Sequence, residues 1–105
     1  MALYITAWSM TSDTTPEFAS RTAAHDRKAW CLSWLPHRML TFEQARAGME
    51  LDELLSDPGS VHDGMALALA DNCAGRIGLL REQAVLLLAK RMAARSAAGA
   101  VTSAL

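Results

Sequence analysis

The stretch Asp71-Asn72-Cys73-Ala74-Gly75-Arg76-Ile77-Gly78-Leu79-Leu80-Arg81-Glu82-Gln83-Ala84-Val85 places the strongest constraint on the fold. Ala74 is small, Gly78 follows four positions later, and apolar residues flank both. That spacing predicts two helices joined by a tight turn, an arrangement shared by many DNA-binding and protein-binding domains. The segment runs on into Val85-Leu86-Leu87-Leu88, four consecutive apolar residues that point in all directions around a helix. A surface helix of a monomer does not tolerate that without cover. Either this helix passes through the middle of the fold, or part of it is buried against a second chain.

A chain of 105 residues with 51% hydrophobic and 20% charged residues forms one small domain, near the size where burial only modestly exceeds the entropy cost of folding. Residues 1–105 are therefore read as a single domain, with an N-terminal arm over 1–14 and a frayed tail over 99–105. The mean hydropathy of +0.11 is too apolar for intrinsic disorder.

Periodicity and capping predict a mainly α fold of about four helices, roughly 16–29, 42–55, 61–74 and 80–98, with a short extended or two-stranded element at 2–8 and 30–35. Thr15 before Pro16-Glu17 reads as an N-cap with proline at the first helical position, although the helix it would start has thin apolar content (Phe18, Ala19, Ala23, Ala29). Thr41 and Gln44 form a capping box with Glu43 in the first turn. Glu43, Arg46, Glu50, Glu53 and Asp57 then recur at helical spacing as a solvent face. Asp57-Pro58-Gly59 stops that helix, Ser60 caps the next, and Gly75 marks its end. Trp30, Leu32 and Trp34 alternate with Cys31, Ser33 and Leu35 in an extended segment that Pro36 terminates. Fully burying each tryptophan contributes roughly 2 to 3 kcal/mol, so this segment anchors the core. Leu3 and Ile5 alternate with Tyr4 and Thr6 in a stretch suited to pairing with it.

The net charge of −1 conceals an uneven layout. Thr41–Asp63 carries a net −5, Arg76–Arg95 a net +4 and Arg21–Arg38 a net +3. Such asymmetry docks one part of a fold on another, pairs two subunits, or leaves a basic face for nucleic acid. A sequence pI near 6.3 falls short of the basic domains expected of DNA binders. Cys31 and Cys73 make neither a C-x-x-C pair nor a disulfide framework and read as buried, reduced thiols. No basic residue precedes Arg21, so the positive region of a secretory signal is missing, and no apolar run approaches the 18 or so residues that span a bilayer. These features predict a cytoplasmic protein without a membrane segment. His25, His37 and His62 match no zinc spacing with either cysteine, no nucleophile elbow is present, and glycines 59, 64, 75 and 78 form neither a P-loop nor a dinucleotide turn. No catalytic, metal or cofactor residue is assigned, and no cofactor is expected.

The segment Trp30–Met49, W-C-L-S-W-L-P-H-R-M-L-T-F-E-Q-A-R-A-G-M, resembles a set of small actinobacterial and actinophage proteins carrying the pattern W-x-x-S/T-W-L-P-G-R-x-L-T-x-x-Q-A-x-x-A-M. The likeness extends over residues 28–90, with Ile77-Gly78-Leu79 and Glu82-Gln83-Ala84-Val85 similar to the end of the pattern. It departs at His37, where the pattern has glycine, and at Gly48, where it has alanine. That set carries no assigned activity, so the resemblance implies a shared fold and a bacterial or phage origin and transfers no site.

Two functions are expected from these features. The first is non-enzymatic: binding an unidentified protein partner, with self-association as a homodimer through Leu79, Leu80, Val85, Leu86, Leu88 and Met92 and an acidic face at Glu43, Glu50 and Glu53 for a basic partner. The alternative is a helix-turn-helix DNA-binding regulator using Arg76, Arg81, Gln83, Lys90, Arg91 and Arg95. Its chemistry is thin, because only Arg81 among the groove-facing positions offers the guanidinium fork suited to guanine. A helical pair that merely packs explains the same spacing.

Overall fold

A computed structural model describes residues 2–22 and 29–103. The first forty residues build a five-stranded antiparallel meander, and three helices follow. The strands are β1 (Leu3–Ile5), β2 (Ser9–Ser12), β3 (Phe18–Thr22), β4 (Ala29–Leu32) and β5 (Leu35–Leu40), each bonded to its neighbour in sequence. The helices are α1 (Phe42–Ser56), α2 (Gly64–Arg76) and α3 (Arg81–Ser103), with a 3₁₀ turn over Pro58–His62.

This α+β architecture corrects the expected mainly α fold with four helices. The helix expected over 16–29 does not form: residues 18–22 are β3, residues 29–32 belong to β4, and 23–28 lie outside the described residues. Within Phe18-Ala19-Ser20-Arg21-Thr22 the side chains alternate, Ala19 fully buried between exposed Phe18 and Ser20. Thin apolar content could not hold an amphipathic helix on the core, and pairing on both edges prevails over helix propensity. The pairing expected between 2–8 and 30–35 is also replaced. β1 pairs with β2, Leu3 opposite Ser12 and Ile5 opposite Met10, while β4 pairs with β3 and β5. A three-residue connection closes the first hairpin, its Thr6 hydroxyl accepting from the amides of Trp8 (3.2 Å) and Ser9 (3.0 Å). Pro36 does not end the extended run but lies in the edge strand β5, where its missing amide costs no ladder bond.

One face of the meander carries the core. Ile5, Met10, Ala19, Leu32 and Leu35 sit opposite one another in a line across all five strands. α1 packs on this line. Gly48 lies so close to β4 that a Cβ there would stand 2.2 Å from Leu32 Cδ1, so the helix approaches the sheet at its one side-chain-free position. Trp30 and Trp34 are both buried, and Trp30 meets the edge of Phe42 with ring centroids 5.6 Å apart. α2 covers the opposite side of α1 through Ala70, Cys73 and Ala74, which makes α1 the central helix.

The helix starts follow local chemistry. In the expected capping box, Thr41 Oγ1 accepts from the Gln44 amide (3.1 Å) and Gln44 Oε1 accepts from the Thr41 amide (3.0 Å). α2 begins three residues later than expected. The Asp57 carboxylate takes the Gly59 amide (2.9 Å) and draws Pro58–His62 into the 3₁₀ turn. Asp63 then caps α2 in place of Ser60, accepting from Met65 (3.0 Å) and Ala66 (3.3 Å). α2 also passes Gly75 and ends at Arg76, and α3 continues beyond the expected end at 98 to Ser103.

Candidate protein interface

The α2–α3 junction is the tight turn expected from the Ala74 and Gly78 spacing. Gly78 adopts φ 73°, the left-handed conformation that L side chains resist, and two bonds close the turn: Leu79 N to Ala74 O (2.9 Å) and Gly78 N to Gly75 O (3.1 Å). This is a Schellman motif, and it disposes of the orphan carbonyls at the end of α2. Two further donors reach the same end from elsewhere. Arg38 on β5 donates Nη1 to Ile77 O (2.6 Å), and Gln44 on α1 donates Nε2 to Arg76 O (3.2 Å). Cys73, Ala74, Ile77 and Ala84 are buried beneath the turn, with Leu79 and Leu87 packed at its margin.

This turn fixes which side of α3 faces the protein. Ala84 and Leu88 are buried, and Arg81, Leu87 and Arg91 are partly covered along the same stripe. The remaining circumference is in water. Of the six residues expected to self-associate, Leu88 is buried in the core and Leu79 is partly covered. Leu80 (66% exposed), Val85 (44%), Leu86 (63%) and Met92 (57%) stay open. Ala89 and Ala93 are exposed between them. Met65 and Leu69 add apolar surface on α2, 78% and 55% exposed.

The basic residues assigned to nucleic acid are largely engaged within the fold. Arg91 Nε lies 2.8 Å and 2.9 Å from the two carboxylate oxygens of Glu17, and Arg95 Nη1 donates to Oε2 at 2.5 Å. Glu17 sits in the β2–β3 connection with its side chain 1% exposed, and the Ser33 hydroxyl donates to it at 2.6 Å. Burial pushes the Glu17 carboxyl up, but the bonds from Arg91, Ser33 and Arg95 outweigh it and hold the group below its ordinary value. Arg81 faces Asp71 at 3.5 Å, and Arg76 Nε donates to Asn72 (3.0 Å). Gln83 turns its Oε1 back onto the Leu80 amide (2.8 Å) to cap α3. Lys90 alone of the six makes no ion pair or hydrogen bond among the described residues.

The three acidic positions are dispersed. Glu43 is exposed and Glu50 pairs with Arg46 at 3.1 Å. Glu53 is buried, accepting from the hydroxyls of Ser12 (2.9 Å) and Thr14 (3.3 Å). Asp52 beside it is also buried and bonded to the Thr15 hydroxyl; burial, together with the charge of Glu17, pushes its carboxyl up. Thr15 thus serves α1 from a loop instead of capping a helix of its own.

Other features give less to build on. Grooves of about 350 Å³ (Phe42, Glu43, Arg46, Ala47, Glu50, Arg76) and about 330 Å³ (Phe18, Ser20, Cys31, Leu32, Ser33, Pro36, Arg91) are open and shallow. Burial, then the charge of Glu50, pushes the Cys73 thiol up, away from nucleophilic use. His37 and His62 are exposed, and His25 lies outside the described residues. Among the described residues no group of three His, Cys, Asp or Glu side chains could hold a metal ion, and no helix is long and apolar enough to cross a membrane. On the sheet, Tyr4 and Trp8 are 59% and 64% exposed, with Arg21 stacked 5.0 Å over the Trp8 ring.

No family model, curated protein or solved structure matches the chain.

Proposed function

We propose that this chain is a small, non-enzymatic interaction protein of the cytosol, of bacterial or phage origin, that works by binding protein and self-associates as a homodimer through the outer face of α3. The observation that carries this reading is the open apolar surface of that helix. Leu86 and Met92 are more than half exposed and Val85 nearly so, on a helix whose other side is already seated. The four-residue apolar run could have been explained by a helix through the middle of the fold. α1 occupies that place, which favours the second explanation, cover by another chain, for the exposed part of α3.

The DNA-binding alternative draws less support. Its arginines are held by Glu17, Asp71 and Asn72, and Gln83 is committed to a helix cap. Phosphate would have to compete with those bonds and with the Glu17 and Asp71 charges beside them.

Light scattering on the eluting protein at tens of micromolar tests the reading. The expected mass is twice the 11.3 kDa of one chain. Leu86→Glu and Met92→Glu are expected to run at the single-chain mass with an unchanged circular dichroism spectrum, since neither side chain supports the fold. A wild-type protein of single-chain mass at that concentration would refute the homodimer.

A further inference from the structure

The exposed face of α3 is close to palindromic about Leu86. Glu82 and Lys90 lie four positions before and after it, so the three residues form one ridge on the helix surface. All three are exposed, and neither Glu82 nor Lys90 has an ion-pair or hydrogen-bond partner among the described residues. Six positions either side of Leu86 stand Leu80 and Met92, both more than half exposed. The neighbouring ridge, Val85-Ala89-Ala93, is mostly small, which leaves a shallow groove beside the charged one.

We infer that the partner of this face is a second copy of the same helix, antiparallel, with a two-fold axis at Leu86 and Glu82 of each copy beside Lys90 of the other. The inference rests on the self-association reading above and adds its geometry. Packing ridges of the four-residue kind against each other is the commonest helix-pair arrangement, with axes crossing near −50°. Two such ridges run side by side only if aligned. When the copies are antiparallel, the order Glu82-Leu86-Lys90 lies alongside Lys90-Leu86-Glu82. Each unpaired charge then gains an opposite one, and Leu86 meets its own equivalent on the axis, as an isologous interface requires. A parallel pair would set Glu82 against Glu82 and Lys90 against Lys90, at a cost in like-charge repulsion.

Charge reversal tests this arrangement. Glu82→Lys places two lysines together at both ends of the ridge, and Lys90→Glu places two glutamates there. Each variant alone is expected to raise the dimer dissociation constant about tenfold or more, from two exposed pairs turned from attractive to repulsive. Mixed in equal amounts, the two variants are expected to form a heterodimer near wild-type affinity, because the introduced lysine of one then meets the introduced glutamate of the other and both native charges meet as well. Sedimentation equilibrium at low salt, on each variant and on the mixture, reads all of this. A wild-type dimer that either variant leaves unchanged, or a mixture that stays as weak as its components, overturns the antiparallel geometry while the self-association reading stands. A wild-type monomer overturns both.

Discussion

α1 is enclosed by the sheet on one side and α2 on the other, so Ala45, Ala47, Met49 and Leu51 are all removed from solvent. α3 is seated along a single stripe, and Val85, Leu86 and Met92 remain in water. Both helices carry apolar residues on more than one face. The number of covered faces, more than composition, separates a helix that builds the core from one that offers a surface. Even the charges follow this division: α1 buries Asp52 and Glu53 under hydroxyls from the end of β2 and the β2–β3 connection, whereas α3 keeps Glu82 and Lys90 exposed.

The sharpest way to break this contrast is to truncate one leucine on each helix. Leu51→Ala, at a fully buried site, is expected to lower unfolding free energy by about 3 kcal/mol in urea titration, through lost transfer energy and the cavity left behind. Leu86→Ala, measured on the dissociated chain, should stay within about 0.5 kcal/mol of wild type. Equal costs at the two positions would mean that α3 is as central as α1.

The next effect concerns how α3 is held. Glu17→Gln removes the charge that Arg91 and Arg95 share; since both arginines are about 40% exposed, water compensates them in part, and a loss of about 2 kcal/mol at pH 7 is expected. Glu17 is held below its ordinary value, so its contribution is complete above the unfolded-chain value of about 4.3 and is lost as pH falls through the lower folded value. Asp52 acts in the opposite sense. Its raised value makes the folded state take up a proton first, so stability rises as pH falls from there toward about 3.9. Urea midpoints from pH 7 to pH 3 should show a flatter acid limb for Glu17→Gln than for wild type. A parallel limb would remove Glu17 from the acid response.

The smallest expected effect probes how closely α1 is seated. Gly48→Ala gains helix propensity of about 1 kcal/mol, but its Cβ meets Leu32, which is 1% exposed and hemmed in by the core. A net loss of about 1 kcal/mol is expected, shrinking in a Leu32→Val background, where the clash is relieved. A stabilised Gly48→Ala would show that Leu32 has room to turn.

Much of the helical half was legible in the amino-acid sequence. The Thr41/Gln44 box, the Gly78 turn and the buried tryptophans rest on interactions a few residues apart or on side chains too apolar to leave in water. The sheet was not legible. β2 and β3 each contribute one fully buried side chain, Met10 and Ala19, among serines and threonines, too sparse a pattern to outweigh the helix signal of Thr15-Pro16-Glu17. The charges misled for a related reason. Arg91 and Arg95 look like a free basic face because Glu17 is 74 and 78 positions away, and Glu53 takes its place in the solvent face until Ser12, 41 positions distant, is seen to cover it. Spacing along one helix carries no information about either.

The clasp between Glu17 and α3 also bears on the order in which the chain assembles on the ribosome. Every strand of the meander pairs with its neighbour in sequence, so the sheet and the α1 that packs on it can form early and with little loop closure. Glu17 belongs to that early body, but its two countercharges are synthesised much later. A nascent chain halted after α2 would hold a carboxylate answered, among the described residues, by the Ser33 hydroxyl alone. The last helix therefore completes the electrostatics of a turn made near the beginning, and the molecule reaches its final stability only when that distant segment arrives.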